Sequence, residues 1–527
     1  MSTRFSLPPS ATPIGDITTV LDIASTDGQD DYFFPIDTTN TQFSAIDALY
    51  NTTSISIQDY VHTGTAEWGG YLSFAPDTKQ SGDILQGITL EFKLNHWYSE
   101  EAVANLEGGT WVIDEATPQE VWSYMNGLGN AMIASIEITA GDQTLSKISG
   151  EFIQVSLASS SNVNATSGYA ASGIGYISNR EYSVYTPSTD PINKNRPFQT
   201  SGGAYQVLVP LIGGGTGTDS SIKEALPLLS CAEGSIRINI NLRPFTEVVQ
   251  KFNGTKSSPM DSPLGKYTTF EVVETGAKIT QQNALLPPPF RDFRLITFGH
   301  LTSGPQRELY LRKPVEQMMQ FSQAFHFTEP LKYSAAKRQY GEDTVDIILP
   351  LELNYPTKEL IFVFKRNSII MNNEWNNFTP KPTWDPPPLT LKRPFPGQVA
   401  PWLRYGSIYI NGQLMDQGDG DWWQTTYANN HNGGISTYNN NIYGYVFART
   451  PDQHQPTGYV NMSKATSVRL NLTVNVPPSV AAAAAELGTN IDAFPGGTDQ
   501  GCEVSVYSVY YNWARFENGL LQKLFAD

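Results

Sequence analysis

Cysteine is nearly absent: Cys231 and Cys502 are the only two in 527 residues. Their separation matches no metal-ligand spacing and builds no disulfide framework, so two unpaired thiols in a reducing compartment are expected. Charge is sparse as well. Asp, Glu, Lys and Arg make up 16% of the chain, against about 25% in an average globular protein. Cations are the scarcer sign, with 34 Lys and Arg against 51 Asp and Glu, a net charge of −17. A broad phosphate-binding surface needs clustered cations, so no direct nucleic-acid binding is expected. Long apolar runs are also missing. No stretch approaches 18 uninterrupted apolar residues, and the start MSTRFSLPPSATPIGD lacks the apolar centre of a secretory signal. These absences predict a soluble protein made in the cytosol.

Catalytic and cofactor signatures are missing too. There is no Gly-x-Ser-x-Gly elbow, no His-Glu-x-x-His and no phosphate loop; GGGTGT (213–218) lacks the Lys and Ser/Thr that would follow. Asp416, Asp419 and Asp421 fail the calcium-loop spacing, and no Glu stands at its twelfth place. The six histidines (62, 96, 300, 326, 431 and 454) stand singly, without a His or Cys at ligand spacing. The adjacent pairs Glu100-Glu101 and Asp30-Asp31 would point to opposite faces of an extended chain, which suits no acid–base pair. We expect no enzyme, no cofactor and no metal.

What the chain has is turn residues and alternation. It contains 43 Gly, 35 Pro and 61 Phe, Tyr and Trp. GITLEFKLN places Ile88, Leu90, Phe92 and Leu94 on one face. SIEITAGDQTL, AYQVLVPL, GSIRININ, TVDIILPLEL, ELIFVFK, GSIYINGQLM, SVRLNLTVNV and CEVSVYSVYYNW repeat that period of two. Asn411-Gly412 marks a two-residue hairpin, because both turn residues need positive φ. Residues 1–30 are polar and aperiodic, an arm rather than core. Helices are expected to be few: one or two in 304–323, broken at Pro314, and a short one in SVAAAAAELG, from Ser479 to Gly488. DQGDGDWWQTTYANNHNGGISTYNNN (416–441) and GGGTGTDSS (213–221) are expected to be long loops.

One internal echo organises these strands. SIRININ (235–241) and SVRLNLT (467–473) share Ser-aliphatic-Arg-aliphatic-Asn-aliphatic-polar, and each follows an earlier strand, YQVLVPL or YGYVFA. The repeat predicts two tandem copies of one β-sandwich domain, each with an inner apolar face and a wet outer one.

Three local features remain. PDQHQPTGYVNMS (451–463) joins two strands; Pro456 fixes φ and Gly458 offers a positive one, so it is expected to be a corner in which His454 needs no catalytic role. Trp422 and Trp423 could stack on a sugar, or, as alternate residues of a bent strand, each could pack against a neighbour. Asn-x-Ser/Thr sequons stand at Asn51, Asn164, Asn253, Asn377, Asn461 and Asn471; without a secretory signal, glycosylation is not expected.

YGYVFARTPDQHQPTGYVNMSKATSVRLNL resembles a strand–turn–strand signature of the double jelly-roll major capsid proteins of nucleocytoplasmic large DNA viruses and their virophage and Polinton-like relatives. Gln-Pro-Thr-Gly-x-x-Asn-Met-Ser is its most specific part. LPLELNYPTKELIFVFK, SIYINGQLM, VYSVYYNWARFENGLL, NAMIASIEITAGDQTLSKISGEFI and ALPLLSCAEGSIRININLRPF are similar to further segments in the family's order. The arm and residues 30–80 match nothing in the family, SGPQRELYLRK replaces its acidic-basic stretch between domains, and the Ala-rich insertion at 481–485 is foreign to it.

The resemblance implies an all-β chain of two tandem eight-stranded jelly rolls, with an arm at 1–30, a first jelly roll at 31–312 and a second at 313–527. It implies a homotrimer with a pseudo-hexagonal outline that tiles an icosahedral shell. The implied partners are neighbouring capsomers, penton and minor capsid proteins, and an inner membrane on the interior side. The alternatives are a minor capsid paralogue of the same fold and a lectin-like β-sandwich.

Overall fold

The computed structural model of the chain describes residues 53–60, 62–94, 111–113, 120–124, 128–141, 143–158, 204–209, 225–231, 236–253, 256–258, 268–272, 278–281, 287, 289–302, 304–332, 344–366, 373, 375, 378, 402–431, 441–451, 456–475, 499–517 and 519–524. All of them lie in the unit Thr53–Asp527.

The first half supplies β1 (Thr53–Tyr60), β2 (Tyr71–Phe74), β3 (Ile84–Leu94), β4 (Ile133–Ala140), β5 (Gln143–Ser149), β6 (Ala204–Val209), β7 (Ile236–Leu242) and β8 (Phe290–Thr302). The second supplies β9 (Val315–Lys332), β10 (Thr344–Leu351), β11 (Pro356–Arg366), β12 (Leu403–Ile410), β13 (Gln413–Asp419), β14 (Ile442–Val446), β15 (Val468–Asn475) and β16 (Asp499–Glu517). Hydrogen bonding orders the first set as β1-β8-β3-β6 and β2-β7-β4-β5, and the second as β9-β16-β11-β14 and β10-β15-β12-β13. Adding eight to every label of the first set gives the second. Each set is thus a jelly roll of two facing antiparallel sheets. Thr63–Gly64, Val460–Asn461 and Leu520–Lys523 add short strands at the edges. Two three-stranded sheets arise from the long connections between β3 and β4 and between β7 and β8.

The sequence echo falls on matched strands. IRININ lies in β7 and VRLNLT in β15, the seventh strand of each set. Their apolar residues Ile236, Ile238 and Ile240, and Val468, Leu470 and Leu472, are buried, whereas Arg237 and Arg469 face out. The period of two therefore sets the core face in both copies. The first core gathers Leu72, Phe74, Leu90, Phe92, Ile138 and Ile238. The second gathers Leu349, Leu360, Phe362, Phe364, Trp402 and Leu470.

β11 departs from alternation for a reason. Leu360, Phe362 and Phe364 point into the second core, while Ile361 and Val363, just as buried, join the cluster built mainly by the first jelly roll. A strand covered on both faces reads as an unbroken apolar run, which is ELIFVF. Each such side chain contributes about 1.5–3 kcal/mol by burial.

The structure narrows one expectation and corrects two others. Within 304–323 there is one helix, α2 (Gly304–Arg312), and Val315 onward is strand β9. Its Met319 and Phe321 alternate inward and are buried, so tertiary packing decides its state. Residues 416–441 are not one loop either, because β13 runs to Asp419 and α3 spans Gly420–Asn430. The Asp419 carboxylate accepts a 2.8 Å bond from Trp422 N, an N-cap hidden in an Asp/Gly-rich stretch. Trp422 and Trp423 accordingly sit on this helix and not on a bent strand. The helix expected at 479–488 lies outside the described residues.

Asn411 and Gly412 join β12 to β13 with φ of 52° and 80°. Asn411 Oδ1 accepts bonds from Thr466 N (2.6 Å) and Thr466 Oγ1 (3.0 Å), which ties the hairpin to the start of β15. After the corner, Thr457 Oγ1 accepts a 2.9 Å bond from Thr450 N, and half-buried Pro456 precedes it. Gly458 has φ of 155°, and a Cβ there would stand 2.9 Å from Phe447 O. Both the dihedral and the crowding exclude a branched side chain. Gly458→Val is expected to lower stability by about 1–3 kcal/mol, seen as a lower midpoint in thermal melting; an unchanged midpoint would show that the corner tolerates a side chain.

Candidate assembly interface

The two jelly rolls meet across the outer face of the sheet β9-β16-β11-β14. Helix α1 (Gly150–Ala158) leaves β5 and presses on that face. Ser149 Oγ accepts a 3.2 Å bond from Phe152 N and caps the helix. Phe152 then packs on Tyr507, ring centroids 4.8 Å apart. One residue earlier, Glu151 forms an ion pair with Lys365 at the end of β11, and both side chains are buried. Their attraction and hydrogen bond offset a large desolvation cost.

Chain leaving β11 reinforces this junction. Asn373 Nδ2 donates to Thr246 O (2.8 Å) and Val249 O (2.9 Å), satisfying one carbonyl within the helical turn Phe245–Val248 and one just past it, in the first half of the chain. Trp375 Nε1 donates to Glu247 O at 2.9 Å. The Arg243 guanidinium stands 4.0 Å from the centre of the Trp375 ring, and Lys365 Nζ stands 5.6 Å from it. Next to Lys365, Glu503 holds His326 at 3.4 Å. The hydrogen bond to Glu503 raises the His326 pKa above the ordinary histidine value, against the opposing effect of burial.

A second buried polar group fastens α3 and the corner to β11. Lys358 Nζ donates to Gln320 Oε1 and to Pro451 O, each at 2.9 Å. Glu359 lies 3.3 Å from Lys358 Nζ and 2.9 Å from His431 Nε2, just past α3. Burial pushes the Glu359 carboxyl up, but Lys358 and His431 outweigh it and bring the pKa to about 2.

Other faces carry exposed apolar side chains among the described residues. Ile55 and Ile57, on edge strand β1, are 70% and 61% exposed. Trp422 is 50% exposed and Trp423 only 1%. Trp423 Nε1 donates to Gly406 O at 3.3 Å, inside its own domain. The Trp422 ring lies over Gly418, with Nε1 bonded to Asp416 Oδ2 at 3.3 Å. The two indoles therefore share no platform on which a sugar could stack. Asn253 ends a strand of a small sheet, whereas Asn51, Asn164 and Asn377 lie outside the described residues. Asn461 accepts a bond from Ser463 N and caps a short helical turn, and Asn471 lies within β15. Among the described residues, no three His, Cys, Asp or Glu side chains gather as a metal site, and no helix is long and apolar enough to cross a membrane.

Sequence reasoning missed the junction. Glu151 and Lys365 are 214 residues apart, and a lone Lys closing an apolar run does not name its partner. The available signal was ELIFVF itself, a run too apolar for a strand with one wet face.

Two outcomes follow from these contacts. Lys365→Met strands a buried carboxylate and is expected to cost about 3–5 kcal/mol, whereas Glu151→Gln with Lys365→Met recovers most of it; equal losses in urea unfolding would refute the pairing. Glu359 has a folded pKa below its unfolded value, so its contribution is complete above about pH 4.5 and is lost as pH falls toward 2. Glu359→Gln is expected to flatten the acid limb of stability against pH over that window, and an unaltered limb would contradict the assignment.

The family described as large eukaryotic DNA virus major capsid protein matches residues 315–522. No curated protein sequence matches the chain significantly. Similar solved structures share the fold at low identity. A chain of the PBCV-1 virus capsid aligns with a TM-score of 0.60 and 16% identity, over 92% of this chain and 100% of that one. The Faustovirus major capsid protein gives 0.53 and 10%, over 90% and 92%. A chain of the Sputnik virophage structure gives 0.50 and 9%, over 94% and 92%. The family's signature thus lies across the second jelly roll, and the fold of both jelly rolls is shared with these large DNA virus and virophage capsid structures.

Proposed function

We propose that three copies of this chain close into a ring of pseudo-hexagonal outline that tiles an icosahedral facet. The observation that carries this reading is the matched topology of the two jelly rolls, β1–β8 and β9–β16, in one chain. Three chains then present six similar sandwiches around one axis. A head-to-tail contact that closes after three steps forms a finite capsomer. Permanent interfaces of this kind bury well over about 2,000 Å² and favour aromatic and apolar side chains. The exposed Ile55, Ile57, Trp422 and Trp513 are suitable material.

In this reading residues 1–30 are an arm, 31–312 the first jelly roll and 313–527 the second. Pro456, Gly458, Asn411 and Gly412 serve as structural turn residues of the second. Neighbouring capsomers, penton and minor capsid proteins contact the ring, and an inner membrane lies on its interior side. The protein is made in the host cytoplasm and acts as scaffold without catalysis.

The test is the mass of the purified protein by sedimentation. Three times 58.1 kDa is about 174 kDa, the expected species. A 58.1 kDa species at every concentration would overturn the reading.

A further inference from the structure

We infer that the contact between the two jelly rolls within one chain is repeated between chains, with α3 of one copy seated on the outer face of the sheet β1-β8-β3-β6 of the next. This rests on the ring proposed above and names the residues that close it.

Helices α1 and α3 occupy matched positions, since each follows the fifth strand of its jelly roll. Their openings align as Gly150-Glu151-Phe152 and Gly420-Asp421-Trp422. Ser149 and Asp419 cap them alike, accepting bonds from Phe152 N and Trp422 N. Both glycines press on the first residue of the fourth strand: a Cβ at Gly150 would collide with Ile133 O, and one at Gly420 with Leu403 O. The two helices are therefore held in the same way.

Their surroundings differ. Glu151 and Phe152 are buried, at 8% and 2% exposure, because the second jelly roll covers them. Asp421 is exposed and Trp422 is 50% exposed, because no part of the described chain does the same for α3.

The receiving faces also correspond. Phe92-Lys93 in β3 matches Phe364-Lys365 in β11, with both phenylalanines fully buried in their own cores. Lys365 is the cation that meets Glu151, and its side chain is 2% exposed; that of Lys93 is 55% exposed and, among the described residues, forms an ion pair with Asp292 at 2.7 Å. Four residues before each lysine, Ile361 pairs with Tyr507 and Thr89 pairs with Ile296. Ile296 thus stands where Tyr507 receives Phe152. Phe298 and Ile57 lie beside it as register partners. The occupant of this apolar face is α3 of a second copy: Trp422 covers Ile296, Phe298 and Ile57, and Asp421 draws Lys93 away from Asp292.

Sedimentation of wild type, Trp422→Ala, Asp421→Lys, Lys93→Glu and the double variant Asp421→Lys with Lys93→Glu tests this. The sites are exposed, so each variant should melt like wild type. Each single change is expected to weaken trimerisation by roughly 30-fold or more, the effect of losing a central anchor. The double variant should recover most of the loss, because the charges are exchanged. If Trp422→Ala loses its melting transition, the charge pair alone decides. Wild-type trimers with unchanged dissociation in the single variants, or no recovery in the double, would overturn this docking and leave the ring standing. A wild type that never trimerises would overturn both.

Discussion

Burial of one sheet on both faces is the constraint from which the rest of the structure follows. β9-β16-β11-β14 packs its inner face against β10-β15-β12-β13 and its outer face against the first jelly roll. A sheet in that position must be apolar on both sides, and its middle strands are. Leu360 to Phe364 and Val504 to Tyr511 form nearly continuous buried runs. Polar groups trapped in such a layer need partners, and Lys365 with Glu151 and Lys358 with Gln320 and Pro451 O supply them. These pairs add little net stability, but they fix which surfaces meet.

The same constraint explains why the two copies diverged in chemistry while keeping their connectivity. In the first jelly roll the outer face of β3 carries Thr89, Glu91 and Lys93, where β11 has Ile361, Val363 and Lys365. Glu91 and Asp59 hold Arg294 at 2.6 and 3.0 Å on that wet surface. Exposed pairs of this kind contribute under about 1 kcal/mol each. Among the described residues this face stays polar and exposed around Ile55 and Ile57, where its counterpart in the second jelly roll is apolar and buried.

Much of the strand framework was legible in the sequence, because alternation survives wherever one face is wet. β3, β4, β7 and β15 show it plainly, and the Ser-x-Arg echo located the seventh strand in both copies. Legibility failed where tertiary contact overrules local pattern. Val315–Gln323 has helix-compatible residues but is drawn into a strand by pairing with β16. α3 was hidden because its cap and first turn, Asp419 to Asp421, look like a solvated turn. The junction was not legible, since Glu151–Lys365 and Asn373–Thr246 join segments with no common local signal. Turn chemistry carries further than side-chain pairing in a single sequence: Asn411 and Gly412 announce their φ, whereas a lone Lys does not announce its acid.

Cryo-electron imaging of the purified capsomer addresses the central claim, that one chain contributes two equivalent walls to a closed ring. Six sandwich densities of similar shape, alternating around a threefold axis with matched contacts between neighbours, is the predicted view. A ring in which the two halves of the chain stand at different radii or orientations would contradict it.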